Sequence, residues 1–297
     1  MPYAAINDYI NQAKYTQVNG DTIAHWCKGQ GETIVLIHGF PSASWDWHPI
    51  WEDLTQRYRV VAIDLLGFGL SNKPHKHAYS VIEQANIVEH ILGQVYQVQH
   101  CDVLAHDYGV SVAQELLCRS NANSASLNNT GLRFTSVCFL NGGLFAESHR
   151  PLIAQKLLKS PIGGLISKFM SKRTLHKSFT KIFGRYTPPS EQDINALWQL
   201  IMHNNGRAAL PKLLAYIDER AQHRDRWVSN MQNTNTALFF INGVQDPISG
   251  KHMLEQFNQL IPKGESTGLD VGHYPQLEAP EQVLALYLEF INRQHVC

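Results

Sequence analysis

The sequence has no surplus of charge of either sign: Lys and Arg together number 25, as do Asp and Glu, over 297 residues. A nucleic-acid binder or a polybasic membrane-surface protein needs a strong positive field, so this balance argues against both. Nor is there an apolar run approaching the ~20 residues that span a bilayer. Met1 to Ile10 has neither the basic stretch nor the apolar core of a secretory signal. The cysteines Cys27, Cys101, Cys118, Cys138 and Cys297 are odd in number and never in CxxC or CxxxC spacing. A disulfide framework or thiolate metal site is therefore not expected, and four of the five read as small apolar residues within core elements. Unbridged thiols and the missing signal lead to the expectation of a cytoplasmic protein without a membrane span.

What is present is a packed globular chain, 44% hydrophobic and only 17% charged. Its 297 residues exceed a typical domain of about 100–200 residues but are few for two large ones, which suggests one core with an insertion. Lys14–Val18 and Thr22–Lys28 flank Asn19-Gly20, a pair suited to a two-residue hairpin. Short apolar runs follow at Thr33–Ile37 and Val60–Asp64, then a helical period over Tyr79–Val98, strand Cys101–Ala105, helix Val110–Arg119 and strand Phe134–Leu140. This alternation predicts a mostly parallel sheet with helices on both faces. The polar stretch Asn121–Thr130 reads as a surface loop. From Leu144 to Asn235 only helices and loops are expected, with a helix starting after Thr187-Pro188-Pro189-Ser190. Strand character returns at Ala237–Ile241 and Ser266–Leu269, with helices His252–Ile261 and Pro280–Asn292. The expected division is a core over 1–143 and 236–297, interrupted by a helical cap over 144–235.

The segment with most chemistry is Cys101-Asp102-Val103-Leu104-Ala105-His106-Asp107-Tyr108-Gly109. A buried-type strand meets a helix through a sharp turn with a small residue, the layout of a nucleophile elbow with Asp107 where GxSxG has serine and Ala105 for its first glycine. Taken alone, Asp107 fits an N-cap equally well. Two further motifs favour the elbow. His38-Gly39-Phe40-Pro41 directly follows a strand, so the Phe40 and Tyr108 N–H groups can form a two-donor oxyanion hole, with Pro41 a candidate for a cis peptide. His273, in Gly272-His273-Tyr274-Pro275, stands where the last strand ends and suits a general base. The acid that orients it is expected at Asp246, after strand Ala237–Ile241, with Glu147 the rival. The order nucleophile, acid, base is that of the α/β-hydrolase fold.

Together HGFP, Asp64 to Ser71 as DxxGFGxS, HDYG, Gly243 to Pro247 as GxxDP, and GHYPQLE resemble the α/β-hydrolases of the epoxide hydrolase and haloalkane dehalogenase group. The runs DLLGFGLSNKP, HDYGVSVAQELL, NGGLFAESHRPL and HYPQLE are similar to the mesoderm-specific transcript branch and its bacterial relatives. An aspartate nucleophile suits displacement at an sp³ carbon and makes simple ester hydrolysis unattractive, because the intermediate would be an anhydride. The resemblance implies cap tyrosines that protonate an epoxide oxygen, for which Tyr216 is the first candidate and Tyr186 the second. It also implies that a dehalogenase would carry Trp or Asn donors where Phe40 and Tyr108 stand, while Trp45, Trp47 and Trp198 read as packing residues. Epoxide opening is thus expected first, halide displacement second, and a non-catalytic binding protein on the same fold third.

No cofactor is implied: Gly67-Phe68-Gly69 lacks a dinucleotide fingerprint's third glycine, and His75-Lys76-His77 has no third metal ligand in view. The expected partners are a small, apolar, uncharged substrate and water, with no nucleic acid.

Overall fold

The computed structural model describes residues 6–121 and 131–295. Eight strands, β1 (Lys14–Val18), β2 (Asp21–Lys28), β3 (Thr33–Ile37), β4 (Arg59–Ile63), β5 (His100–His106), β6 (Arg133–Leu140), β7 (Ala237–Gly243) and β8 (Glu265–Leu269), form one sheet. Their order is β1-β2-β4-β3-β5-β6-β7-β8. The β1/β2 and β2/β4 pairs are antiparallel and every later pair is parallel. The parallel part is sequestered on both faces, so β3 reads as an uninterrupted apolar run and all of it is buried. Asn19 (φ 53) and Gly20 (φ 90) make the tight β1–β2 hairpin that their identities call for.

Helices α1 (Ile6–Asn11) and α2 (His48–Thr55) precede α3 (Val81–His90). Ser80 caps α3 by accepting from the Glu83 N–H at 3.0 Å. The periodicity suggested a helix to Val98, but the chain widens into a π turn at Ile91–Val95 and leaves it through Gln97 at φ 53. A left-handed residue is a usual way to end a helix. Helix α4 (Tyr108–Asn121) begins two residues earlier than its apolar period suggested. The loop expected over Asn121–Thr130 lies outside the described residues except for Asn121, and Cys297 lies outside them too. Cys101, Cys118 and Cys138 are buried, Cys27 is partly buried, and all four are free thiols.

Every regular element between β6 and β7 is helical: α5 (Ile153–Lys159), α6 (Gly163–Lys168), α7 (Lys172–Thr180), α8 (Glu191–Met202), α9 (Leu210–Leu213) and α10 (Tyr216–Asn233). Ser190 caps α8 through the Asp193 N–H at 3.0 Å, as its place after two prolines suggests. Helix α10 packs along α4, and there Trp227 donates its indole N–H to the buried Glu115 at 2.9 Å. The chain ends with α11 (Lys251–Leu260), α12 (Pro275–Glu278) and α13 (Pro280–Gln294). Among the described residues no helix is long and apolar enough to cross a membrane.

Candidate active site

Strand β5 stops at His106 and α4 starts at Tyr108, leaving Asp107 alone in the turn at φ 45. That left-handed conformation is uncommon for a residue with a side chain and marks a strained position held by its surroundings. Small neighbours make it possible. A Cβ on Gly109 would sit 2.3 Å from the Ile37 carbonyl oxygen, and one on Gly39 would lie 2.8 Å from the Asp107 Cβ. The Asp107 N–H donates to the Asn141 carbonyl at 3.0 Å, which ties the elbow to the end of β6. Its carboxylate turns across the sheet, where Oδ2 accepts the Phe40 N–H at 2.9 Å. The Phe40–Pro41 peptide is cis.

His273 follows β8 and is buried. Its Nδ1 donates to Asp246 Oδ2 at 2.7 Å, which leaves Nε2 facing Asp107 Oδ1 at 3.8 Å. Asp246 is itself fully engaged: Oδ2 accepts from Asn141 Nδ2 (2.9 Å) and from the Ser249 N–H (3.0 Å) and hydroxyl (2.7 Å), and Oδ1 from the Ile248 N–H (2.7 Å). Burial alone would raise the Asp246 pKa, but the His273 charge and these donors override it and hold the carboxyl well below its usual range. For His273, burial acts to lower the pKa; the charge and hydrogen bond of Asp246, with Asp107 and Glu278 beyond it, reverse that and raise it to about 9. Glu147, the rival acid, is instead paired with Arg224.

Four residues that complete this arrangement had no signal strong enough to single them out. Asn141 also brackets the Gly243 backbone, donating to its carbonyl at 3.0 Å and accepting its N–H at 2.6 Å. Ser249 holds Asp246, as above. Buried His106 donates from Nε2 to the His273 carbonyl at 2.8 Å. Glu278 accepts the N–H groups of Gly184 (2.7 Å), Gly272 (2.8 Å) and Tyr274 (2.9 Å) and the Thr187 hydroxyl (2.6 Å). It thereby staples the His273 loop to the helical segment. Asn141 opens the Asn-Gly-Gly run and Glu278 closes GHYPQLE, so the motifs contained them without disclosing their tasks.

Other motif residues are structural. His38 donates from Nδ1 to the Gly39 carbonyl (2.8 Å) and accepts the Leu65 N–H at Nε2 (3.1 Å), which fixes a neutral tautomer; burial lowers its pKa accordingly. The Asp64 carboxylate binds the Ser44 and Leu70 N–H groups, each at 2.7 Å, and the Tyr9 hydroxyl.

Tyr216 is completely buried, its ring centroid 4.7 Å from that of Tyr108, and among the described residues its hydroxyl has no hydrogen-bond partner. Burial and then the nearby Asp107 charge raise its pKa, while the Arg220 cation opposes them. The Arg220 guanidinium lies over the ring, 4.8 Å from its centroid, as a cation–π contact. Tyr186 is not brought to the site: it is 75% exposed and stacked by Arg185. Its neighbours Ile182 and Phe183 take the inward positions, and Glu278 holds Gly184 and Thr187, which turns Tyr186 to solvent. Trp45 and Trp47 are fully buried, Trp45 stacked on His48, and Trp198 packs partly buried against the core. His77 pairs with Glu83, and among the described residues no cluster of three His, Cys, Asp or Glu side chains is arranged to hold a metal. A cavity of about 230 Å³, lined by Tyr9, Trp26, Trp45, His48, Pro280 and Leu284, shares no residue with the triad. The site is therefore defined by polar geometry rather than by that volume.

Residues 32–280 match the alpha/beta hydrolase fold family. The chain belongs to that family. This α/β-hydrolase is 42% identical over 273 residues to the mesoderm-specific transcript protein of Mus musculus, covering 89% of this chain and 80% of that protein. It is 35% identical over 256 residues to the putative hydrolase LipZ of Mycobacterium tuberculosis, covering 85% of this chain and 86% of that one. Among solved structures it superposes on the haloalkane dehalogenase DatA of Agrobacterium tumefaciens C58 with TM-score 0.78 and 21% identity over 95% of this chain and 96% of that one. The epoxide hydrolase CorEH gives TM-score 0.75 and 20% identity over 95% and 98%. At such identities the structural likeness speaks for the fold alone, while family membership supports hydrolase activity.

Proposed function

We propose that this α/β-hydrolase uses Asp107 as nucleophile and a His273-activated water, through a covalent alkyl-enzyme ester, and that it opens epoxides to diols. One observation carries the reading: the elbow bears a carboxylate, held by the Phe40 N–H at 2.9 Å and faced by His273 Nε2 at 3.8 Å, with Asp246 behind the imidazole at 2.7 Å. In the first step an Asp107 oxygen attacks an epoxide carbon, the C–O bond breaks, and Tyr216 gives its proton to the opening oxygen. In the second, His273, having passed its own proton to the Tyr216 phenolate once alkylation removes the Asp107 charge, takes a proton from water and the hydroxide adds to the Asp107 carboxyl carbon. The N–H groups of Phe40 and Tyr108 stabilise the resulting oxyanion. The ester bond then breaks, His273 gives its proton to the leaving alkoxide, the diol departs, and the proton left on the Asp107 carboxyl passes to His273, which restores the starting state.

Electrostatics support this order of events. The Asp107 charge helps raise both the His273 and the Tyr216 pKa. Alkylation consumes that charge, so Tyr216 becomes easier to deprotonate and His273 gives up its proton more readily, which frees the neutral imidazole to act as a base. A halide leaving group is less well served, since Phe40 and Tyr108 offer no side-chain N–H beside the carboxylate. Residues 144–235 act in this reading as the cap that carries Tyr216 over the elbow.

Styrene oxide and 1-bromobutane test the proposal, with diol and bromide as readouts. Diol from wild type, none from Asp107→Asn, and a mass adduct on Asp107 that accumulates in His273→Gln are expected. Folded wild type that releases neither product overturns the reading, and bromide without diol replaces the epoxide by a halide.

A further inference from the structure

Arg220 is a buried cation that the proposed cycle does not use. It is 1% exposed, yet among the described residues its Nη1 and Nη2 have no hydrogen-bond partner. Nε donates to the Ser111 hydroxyl at 3.2 Å, one turn of α4 beyond Asp107, and the guanidinium face lies over the Tyr216 ring. An unpaired guanidinium out of water is costly, and proteins keep such groups where something else completes them. The chain makes room for this one: a Cβ on Gly143 would fall 1.7 Å from Nη1. Its neighbour Gly142 runs against the elbow, where a Cβ would be 3.0 Å from the Asp107 carbonyl oxygen. Other unpaired groups are near. Among the described residues, both ring nitrogens of half-buried His149 and the Tyr216 hydroxyl have no hydrogen-bond partner. The charges of Arg220 and His273 both act on His149, after burial, to keep it neutral and available as a hydrogen-bond donor.

We infer that Arg220, with His149 beside it, is a carboxylate-recognition subsite, so that the substrate is an epoxide bearing a carboxylate near the ring. The inference rests on the epoxide reading for the reacting group and replaces the uncharged substrate expected from net charge. A planar guanidinium with two free donors matches a carboxylate in bidentate fashion.

Phenylacetate and its neutral counterpart 2-phenylethanol, titrated into wild type by calorimetry, test the subsite without turnover. Phenylacetate should bind roughly 10- to 100-fold more tightly, the range of a charge-assisted hydrogen-bond pair. Arg220→Met should erase the preference while Arg220→Lys keeps part of it. Equal binding of the two probes to wild type overturns the inference, and that comparison needs no variant to fold. Turnover of 3-phenylglycidate against 3-phenylglycidol separates the two readings. Tight phenylacetate binding with neither epoxide opened sinks the epoxide reading and leaves the subsite standing. Opening of both with equal kcat/KM does the reverse.

A separate observation carries a second inference. Net charge is zero for the whole chain, yet from residue 150 to 190 every charged side chain is Lys or Arg. In the same stretch Ile153 (75%), Leu157 (46%), Ile162 (57%), Leu165 (57%) and Phe169 (77%) are exposed, on and beside the packed pair α5 and α6. Lys156, Lys168, Lys172, Arg173 and Lys177 are exposed around them. Lys159 of α5 is paired with Asp218, and the remaining exposed cations beside these apolar side chains complement an anionic lipid surface, with the apolar chains entering the acyl boundary and the cationic groups at the headgroups. We propose that this face docks on anionic bilayers. Flotation with phosphatidylglycerol-containing vesicles should recover the protein, vesicles of phosphatidylcholine alone should not, and high salt or Leu165→Ser with Phe169→Ser should each reduce recovery at least about tenfold. No recovery with anionic vesicles overturns the proposal, as does self-association that the double variant abolishes in the absence of lipid.

Discussion

Asp107 shows how much a single charge does. It joins Asp246 in raising the His273 pKa to about 9, so the imidazole of the free protein is cationic at neutral pH, between two carboxylates. The pH dependence of stability follows. A raised pKa contributes stability that is complete below the unfolded value near 6.5 and is lost as pH rises through the folded value near 9. The advantage of wild type over His273→Gln in urea titrations should therefore shrink by roughly 3 kcal/mol between those limits. A constant difference would show that His273 is not so perturbed. Kinetics carry the companion prediction. In single-turnover experiments, ester hydrolysis should titrate at least about one pH unit below the ionisation of the free protein, since the alkylated carboxyl no longer holds a proton on His273. Equal values for both steps would contradict the charge-consumption argument.

At the scale of elements, the turns decide the site. Gly109 lets α4 start hard against β3, and Gly109→Ala should cost at least about 2 kcal/mol in thermal or urea unfolding, because the displaced neighbour is backbone and cannot rotate away. Glu278 governs the opposite turn. Glu278→Gln would aim an amide donor at N–H groups that now find a carboxylate, and should lower stability by about 1–3 kcal/mol. It should lower turnover as well, through the misplaced His273 loop, which a comparison of kcat with substrate Kd would reveal. These turns also explain what could be read in advance. Asp107, Phe40 and His273 each sit where an apolar run ends at a glycine-bearing turn, a local pattern. The Asn141–Asp246, Ser249–Asp246 and Glu278–Gly184 contacts join polar residues whose meeting depends on the closed sheet or on loop paths, which no local period encodes. Tyr186 failed for the same reason: a tyrosine in a proline-rich turn has no periodicity to say which way it faces.

The whole molecule sets these turns side by side through its strand order. With β3 and β5 adjacent although β4 lies between them in sequence, chain connections leave the sheet in opposite directions at that point, where a crevice opens beyond the carboxyl ends of the strands. Phe40 and Asp107 flank this switch point, and Asp246 and His273 arrive from β7 and β8. The helical segment is held over the sheet chiefly by α10 on α4, where Glu115 accepts from Arg119 of its own helix and from Arg226 and Trp227 of α10. Burial would raise the Glu115 pKa, but the Trp227 and Arg119 hydrogen bonds and the two cations bring it below its ordinary value. Its contribution is accordingly present above the unfolded pKa near 4.5 and lost as pH falls through the folded one. Glu115→Gln should therefore be less stable than wild type by about 1–3 kcal/mol at neutral pH, and the two should converge on acidification below pH ~4.5. If α10 anchors the whole helical segment, the variant should also lose protection from amide exchange across residues 146–233 before the β3–β7 strands do. Protection lost equally throughout would mean that segment and sheet unfold as one unit, with Glu115 merely one more contact in a common core.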